Sequence, residues 1–439
     1  MYESEAATNP RNLAAAESTY VHDHRVETAN VELIATFVAT VLLYSLVSKR
    51  IERTVLTAPM LFTAAGAAAF LLPEGMREFA LDRSGFLLIA EIGLVLTLFT
   101  DASRTTLRSL SGNRNLPVRL LSIGMLLTIA LGLAAALLVF GGMSIWDAGI
   151  LAAVLAPTDA GLGAVIVNSQ QVPERIREAL NVEAGLNDGL SVPFLMLFIA
   201  LAAQTADPAH VVLGRFLLEQ LGYGAAIGVG VGGVGGWLLA GAIRRDWVSE
   251  PMRQLGLVAL PLGCALLSEA TAASMFIAAF VAGLAVQIRL RDAGKHSVEF
   301  TEDWGQLFDF FVFFLFGLVV ARDFANFTTA HFVYALLSLT VVRMLPVAVA
   351  LVGTRLAAPT IAFIGWFGPR GLASVVLGLV YLDAAGVGSD AQTIRFTVIA
   401  TVLVSIVAHG VSAVPLTSAY ARRLAGLPSD AAERAAPQN

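Results

Sequence analysis

Apolar residues in this chain come in long blocks separated by short clusters of charge, Gly and Pro, a pattern unlike the alternation of a strand or the single stripe of a soluble helix. Taking each block as a helix predicts thirteen segments, near residues 32–47, 55–72, 85–100, 119–140, 146–167, 178–203, 211–242, 254–268, 271–288, 305–321, 330–353, 359–383 and 396–418. Segments eight and nine are separated only by a tight turn at Ser268, Glu269 and Ala270, and segment seven is Gly-rich from Tyr223 to Gly241. A hydrocarbon core of roughly 30 Å takes about 20 apolar residues per helix. The expected fold is therefore an all-α polytopic membrane protein.

Composition agrees: of 439 residues 57% are hydrophobic and 14% charged, whereas a soluble domain carries about 25% charged residues. The net charge of −5 and the lack of a basic stripe argue against nucleic acid as a partner. Cys264 is the single cysteine, which excludes an intrachain disulfide and a Cys-based metal site. Lys and Arg sort by side as the positive-inside rule requires, nineteen on one set of alternate loops and seven on the other, with Arg343 and Arg370 inside segments. This places the N-terminus outside and the C-terminus in the cytoplasm of a plasma membrane, expected to be a bacterial inner membrane. The polar residues 1–31 form an outside tail and 419–439 a short cytoplasmic one; the first apolar run is followed by Lys49, Arg50 and Arg53, so it reads as an anchor rather than a cleaved signal. No cofactor is expected.

A faint internal repeat runs through the chain. Thr57-Ala58 followed by Phe62, Ala64 and Ala65 recurs as Thr271-Ala272 followed by Phe276, Ala278 and Ala279, and Leu98-Phe99 recurs as Leu315-Phe316. Seven segments separate each pair, so the copies are inverted: 32–203 is the first repeat, 211–242 a linker helix and 254–418 the second repeat. Inverted repeats of this kind mark secondary transporters. Segments five and twelve should each be discontinuous, because Pro157 and Gly161 interrupt the first and Gly368, Pro369 and Gly371 the second, the prolines standing 212 residues apart. Irregular backbone at that depth is tolerated only beside protein or a wet cavity.

Charge gathers at these breaks. Asp159 lies beside one and Arg370 beside the other, while segment six adds Glu183, Asn187 and Asp188. An ionisable group at mid-membrane costs at least about 2.5–3.5 kcal/mol and is a functional hypothesis by default. At roughly 100° per residue, Glu183 and Asn187 share a face and Asp188 lies about 140° from Glu183. The expectation is that Glu183 faces Arg370 as a structural ion pair and that Asp188 faces the break in segment five. Asp159 and Arg370 would offset the partial charges of the half-helix ends. Asp188 is then the acid without a fixed counter-charge, and burial of its charged form lets a proton and a small cation compete for its oxygens. Oxygens from Asp188, Asp159 and Thr158, with carbonyls freed around Pro157, suit a hard monovalent cation such as Na+, Li+ or K+.

Pro157-Thr158-Asp159, Glu183-Ala184-Gly185-Leu186-Asn187-Asp188-Gly189 and Gly368-Pro369-Arg370-Gly371, in this order and spacing, resemble the NhaP-like sodium/proton antiporters of the monovalent cation/proton antiporter superfamily. The resemblance implies thirteen helices with N outside, a homodimer, and an elevator-like motion of a core domain (segments 4–6 and 11–13) against a dimerisation domain (segments 1–3 and 8–10). It implies that Asp188 binds the ion and carries the proton, with Asn187 the other half of an Asn-Asp motif that marks the electroneutral branch. Thr158 and Asp159 coordinate or support, and Glu183 and Arg370 form the structural pair. Two positions depart from the pattern: Ala160 stands where Pro is common after Asp159, and Ala184 where Ser is common after Glu183.

The expected function is thus exchange of Na+ or Li+ for H+, serving pH homeostasis, with K+/H+ exchange as the alternative. A distant alternative is an intramembrane aspartyl protease using Asp159 and Asp188 as a dyad. Glu91, Asp309 and Arg343 line a funnel or pair near the interfaces, His409 reads as a hydrogen-bonded interior histidine or a pH sensor, and Phe308 to Phe316 read as packing and lipid contact.

Overall fold

The computed structural model describes residues 10–51, 54–71, 83–104, 115–159, 169–203, 217–271, 273–289, 296–384, 390–426 and 431–434, with Leu162, Ile166, Gly214 and Pro428 between them. Every regular element among them is a helix. In chain order these are α1 (Pro10–Ile51), α2 (Ala58–Ala69), α3 (Arg83–Arg104), α4 (Leu116–Val139), α5 (Ile145–Val154), α6 (Glu174–Ala202) and α7 (Leu218–Arg244). They continue as α8 (Glu250–Glu269), α9 (Met275–Arg289), α10 (His296–Asp323), α11 (Thr329–Ala350), α12 (Ala358–Trp366), α13 (Leu372–Ala384) and α14 (Ala391–Ala425). Eight helices among the described residues are long and apolar enough to cross a membrane, and four shorter apolar ones accompany them.

Helix starts carry the expected signals. The Thr57 side chain accepts from Met60 N at the head of α2, Ser144 Oγ accepts from Asp147 N at the head of α5, and Thr328 and His331 form a capping box on α11. Pro59, Pro251 and Pro359 sit in first turns, where no backbone donor is lost. The start of α12 is capped from far away: buried Glu433 accepts from Ala357 N at 2.7 Å and from Thr360 Oγ1 at 2.9 Å.

One half of the molecule is built on α2 packed against α10 and α3 against α9. Both contacts are backbone-close, with Gly66 against the Phe314 carbonyl and Gly283 against the Phe99 carbonyl. Phe62 stacks on Phe310 at 4.4 Å between centroids, and Phe37, Tyr44, Phe311 and Phe314 complete an aromatic cluster. The Gly-rich segment is a helix, α7, with π-turns at Leu217–Tyr223 and Val231–Gly235. Gly224, Gly228 and Gly232 recur every four residues and lie against Ser274, just before α9, and Ala278 and Ala282 on it, the close approach that small residues permit between membrane helices. In the other half, α5 packs between α4 and α6, and α11 and α13 pack on α14. That half holds the two interrupted helices.

Candidate functional site

The first interruption follows α5. Its helix ends at Val154 and the chain runs out of helix through Ala156, Pro157, Thr158 and Asp159. The second separates α12 from α13, with Phe367 to Gly371 outside helix. Gly161 lies outside the described residues.

The two interruptions are fastened to each other. Asp159 N donates to Pro369 O at 2.8 Å. The Asp159 carboxylate accepts from Leu372 N at 2.8 Å and from Leu162 N at 3.0 Å, so it caps the N-terminus of α13 and the chain that follows its own break. Arg370 answers from the other side: Nη1 donates to Ala156 O at 2.7 Å and to Pro157 O at 2.8 Å, carbonyls left over where α5 ends. A negative group therefore meets a helix N-terminus and a positive group the carbonyls past a C-terminus, each the favourable sign. Gly371 is required by closeness, since a Cβ there would collide with the Asp159 carboxylate.

On α6, Asn187 Nδ2 donates to Thr158 Oγ1 at 2.7 Å, joining α6 to the first break. Thr158, Asn187 and Asp188 are 3%, 3% and 7% exposed. Asn187 Oδ1 and Asp188 Oδ1 are both buried with no hydrogen-bond partner among the described residues. Two buried acceptor oxygens without donors, one of them on the amide that is bonded to the Thr158 hydroxyl, are what a cation or a proton would satisfy. Asp159, Asp101 and Asp309 are near enough for their negative charges to act on Asp188, opposed by the positive charge of Arg370. Gly185 faces Asp101 on α3 and Gly189 faces the Phe280 ring on α9, flanked by Val182 and Leu186, which pack on Ala102 and Phe280 of the other half.

The expected Glu183–Arg370 pair is not what forms. Glu183 is held by Arg343 of α11, which donates from Nη1 to Oε1 at 2.5 Å and from Nη2 to Oε2 at 2.9 Å. Both side chains are buried in this bidentate pair. Arg370 is engaged with backbone carbonyls instead, and its Nε and Nη2 carry no hydrogen bond among the described residues. Arg343 also packs on Gly368, where a Cβ would meet its guanidinium. Helical spacing turned Asp188 toward the first break, whereas the side chain bonded there is that of Asn187, and spacing could not say which neighbouring helix supplies the cation for Glu183. The usable signal was Arg343 itself, a charge inside an apolar segment that must have a partner. Asp101, near the end of α3, is a second residue that sequence reasoning passed over. His409 is a hydrogen-bonded interior histidine, with Nε2 2.9 Å from Trp366 O.

The geometry also bears on the protease alternative. Each Asp159 oxygen is already bonded to a backbone N–H, whereas an aspartyl dyad needs two carboxyls sharing a proton.

Comparison with known proteins agrees with this architecture. The family described as "Sodium/hydrogen exchanger, transmembrane" matches residues 35–419, which include both interruptions and α6. An uncharacterised Na+/H+ exchanger of Mycobacterium tuberculosis is 30% identical over 232 residues, 52% of this chain and 39% of that protein. This chain thus spans about two fifths of the length of the mycobacterial relatives it matches. A Na+/H+ antiporter of Schizosaccharomyces pombe is 26% identical over 60% of this chain and 62% of its own length, and a K+/H+ antiporter NhaP of Alkalimonas amylolytica 25% identical over 75% and 56%. The solved structure of the sodium proton antiporter MjNhaP1 from Methanocaldococcus jannaschii superposes with a TM-score of 0.68 at 20% identity, covering 88% of this chain and 99% of that one, a likeness of fold. With the family match running across nearly all of its helices, the chain belongs to the transmembrane sodium/hydrogen exchangers.

Proposed function

We propose that the chain exchanges one monovalent cation, Na+ or Li+, for one proton across the membrane. The observation that carries this reading is the pair of buried, donor-less oxygens of Asn187 and Asp188 beside Thr158, at the crossing of two interrupted helices. Loaded with either ion, Asp188 is compensated; empty, its charge stays buried and uncompensated, which disfavours movement of the empty site. Around the crossing Glu183 is balanced by Arg343, and Asp159 and Arg370 carry opposite charges at opposite helix ends. Asp101 and Asp309 add further negative charge near Asp188; in this reading Asp188 alone changes partner, one cation for one proton, and the exchange is electroneutral.

In this reading thirteen spans with the N-terminus outside form two inverted repeats. The matched packings of α2 on α10 and α3 on α9 support the repeat, because a two-fold axis that exchanges α2 with α9 and α3 with α10 converts one contact into the other. α4–α6 and α11–α14 move as an elevator against α1–α3 and α8–α10 in a homodimer, a boundary that α6 meets closely at Gly185 and Gly189 and packs through Val182 and Leu186. Asp188, Asn187 and Thr158 bind the cation, Asp188 carries the proton, and Asp159 supports the loop.

K+/H+ exchange is the second reading, favoured by the Alkalimonas relative and by Ala184, which withdraws a possible hydroxyl ligand. Proteoliposomes with a pH dye inside, given Na+, Li+ and K+ in turn with and without an ionophore clamping the potential, separate the two. Proton movement with Na+ or Li+, unchanged by the clamp, is expected. A response to K+ alone selects the second reading, and a steady single-channel current or cleavage of a membrane peptide would remove both.

A further inference from the structure

The second interruption is held from behind by one helix. On α14, Ser405 and His409 stand one turn apart on the same face and are 0% and 1% exposed. Arg370 N donates to Ser405 Oγ at 2.6 Å, Ser405 Oγ lies 3.2 Å from His409 Nδ1, and His409 Nε2 lies 2.9 Å from Trp366 O. His409 Nδ1 also lies 2.9 Å from Ser405 O, so each ring nitrogen faces a backbone carbonyl, and the neutral tautomer that joins both anchors is the one protonated on Nε2. The Arg370 amide donates to the hydroxyl, the hydroxyl donates to Nδ1, and Nε2–H donates to the Trp366 carbonyl. Trp366 O ends α12 and Arg370 N precedes α13, so the chain of bonds spans the gap: it supplies the acceptor for Arg370 N and a second donor for Trp366 O, which also accepts from Gly368 N at 2.9 Å. Trp366 is further pinned to α14 by Nε1 donating to Ser412 Oγ at 2.9 Å.

What lies between the two anchored points is Pro369, whose carbonyl accepts from Asp159 N, and next to it is Leu372 N, which Asp159 caps. Neither Ser405 nor His409 hydrogen-bonds to Thr158, Asn187 or Asp188. They act on the loop to which the loop bearing Thr158 is fastened.

We infer that Ser405 and His409 are positioning residues for the cation site, a splint across the α12–α13 gap that sets where Asp159, and with it Thr158, stands against α6. The inference rests on the exchange reading above. It is tested by cation-driven proton movement in proteoliposomes, using whichever of Na+, Li+ and K+ the wild-type protein exchanges, with half-saturating concentration and maximal rate recorded separately. His409→Leu and Ser405→Ala should raise the half-saturating concentration by about tenfold, the scale of losing a group that orients a ligand, with a much smaller change in maximal rate. His409→Gln, whose amide N–H can reach the Trp366 carbonyl, should return it most of the way to wild type. An unchanged half-saturating concentration in a folded His409→Leu protein overturns the inference, as does His409→Gln as impaired as His409→Leu. Should His409→Leu fail to fold, Ser405→Ala against Ser405→Thr, which keeps the hydroxyl, makes the same comparison. Absence of exchange in the wild-type protein overturns the transport reading and this inference with it, whereas normal wild-type exchange with unaltered variants overturns the inference alone.

Discussion

The break after α5 and the break between α12 and α13 occupy matching places in the chain, with Pro157 and Pro369 at their centres, yet they carry opposite charge and do different work. The first presents Thr158 to Asn187 and sends the Asp159 carboxylate across to cap α13. The second offers no such hydroxyl to α6; it sends Arg370 back to the carbonyls of Ala156 and Pro157 and is itself tied to α14 through Ser405 and His409. In the function proposed above, the first break is the face of the cation site and the second its support. The two breaks in that reading divide the labour, because each half-helix end needs a charge of fixed sign but only one loop needs to meet the ion.

Loss of the buried charges and caps around the two breaks should be felt first as stability. The largest effect is expected from Glu183→Ala or Arg343→Ala, each of which strands a buried charge: about 3–5 kcal/mol, read as a large drop in melting temperature in detergent. Arg370→Ala should cost less, about 1–3 kcal/mol, because it releases two carbonyls rather than an ion partner. A double-mutant cycle sharpens this, since Glu183 should couple strongly to Arg343 and only weakly to Arg370; the reverse order would restore the pairing expected from helical spacing. Asp159→Asn keeps one acceptor and loses the other, so about 1 kcal/mol is expected, measured by chemical denaturation. Glu433→Ala, which uncaps α12 at its far end, should cost about 1 kcal/mol or less and leave the half-saturating cation concentration unchanged.

Much of this division was legible in the sequence. Pro157 and the Gly368-Pro369-Arg370-Gly371 cluster announce interrupted helices because a proline removes a backbone donor wherever it stands. The acids of α6 announce themselves because charge in an apolar segment is costly. Arg343 was legible as a charge but not as the partner of Glu183: the two are 160 residues apart, and periodicity fixes a face of one helix without naming the helix that packs on it. α11 also bends at Thr340, where φ is −108° and ψ −91°, with no proline nearer than Pro346 to signal it. The π-turns of α7 left no mark in composition beyond glycine, whose purpose became visible only against Ser274 and, on α9, Ala278 and Ala282. The capping of α12 by Glu433 was equally hidden, since it joins a tail residue to a helix start 76 positions earlier.

The central claim is that the unsatisfied oxygens beside Thr158 are where cation and proton compete, with Asp188 as the group that changes partners. Reconstituted Asp188→Asn tests it most directly, because the amide is nearly isosteric but cannot be deprotonated. Cation-driven proton movement should fall to the level of empty liposomes while the melting temperature stays within a few degrees of wild type. Substantial exchange by a folded Asp188→Asn protein would contradict the account.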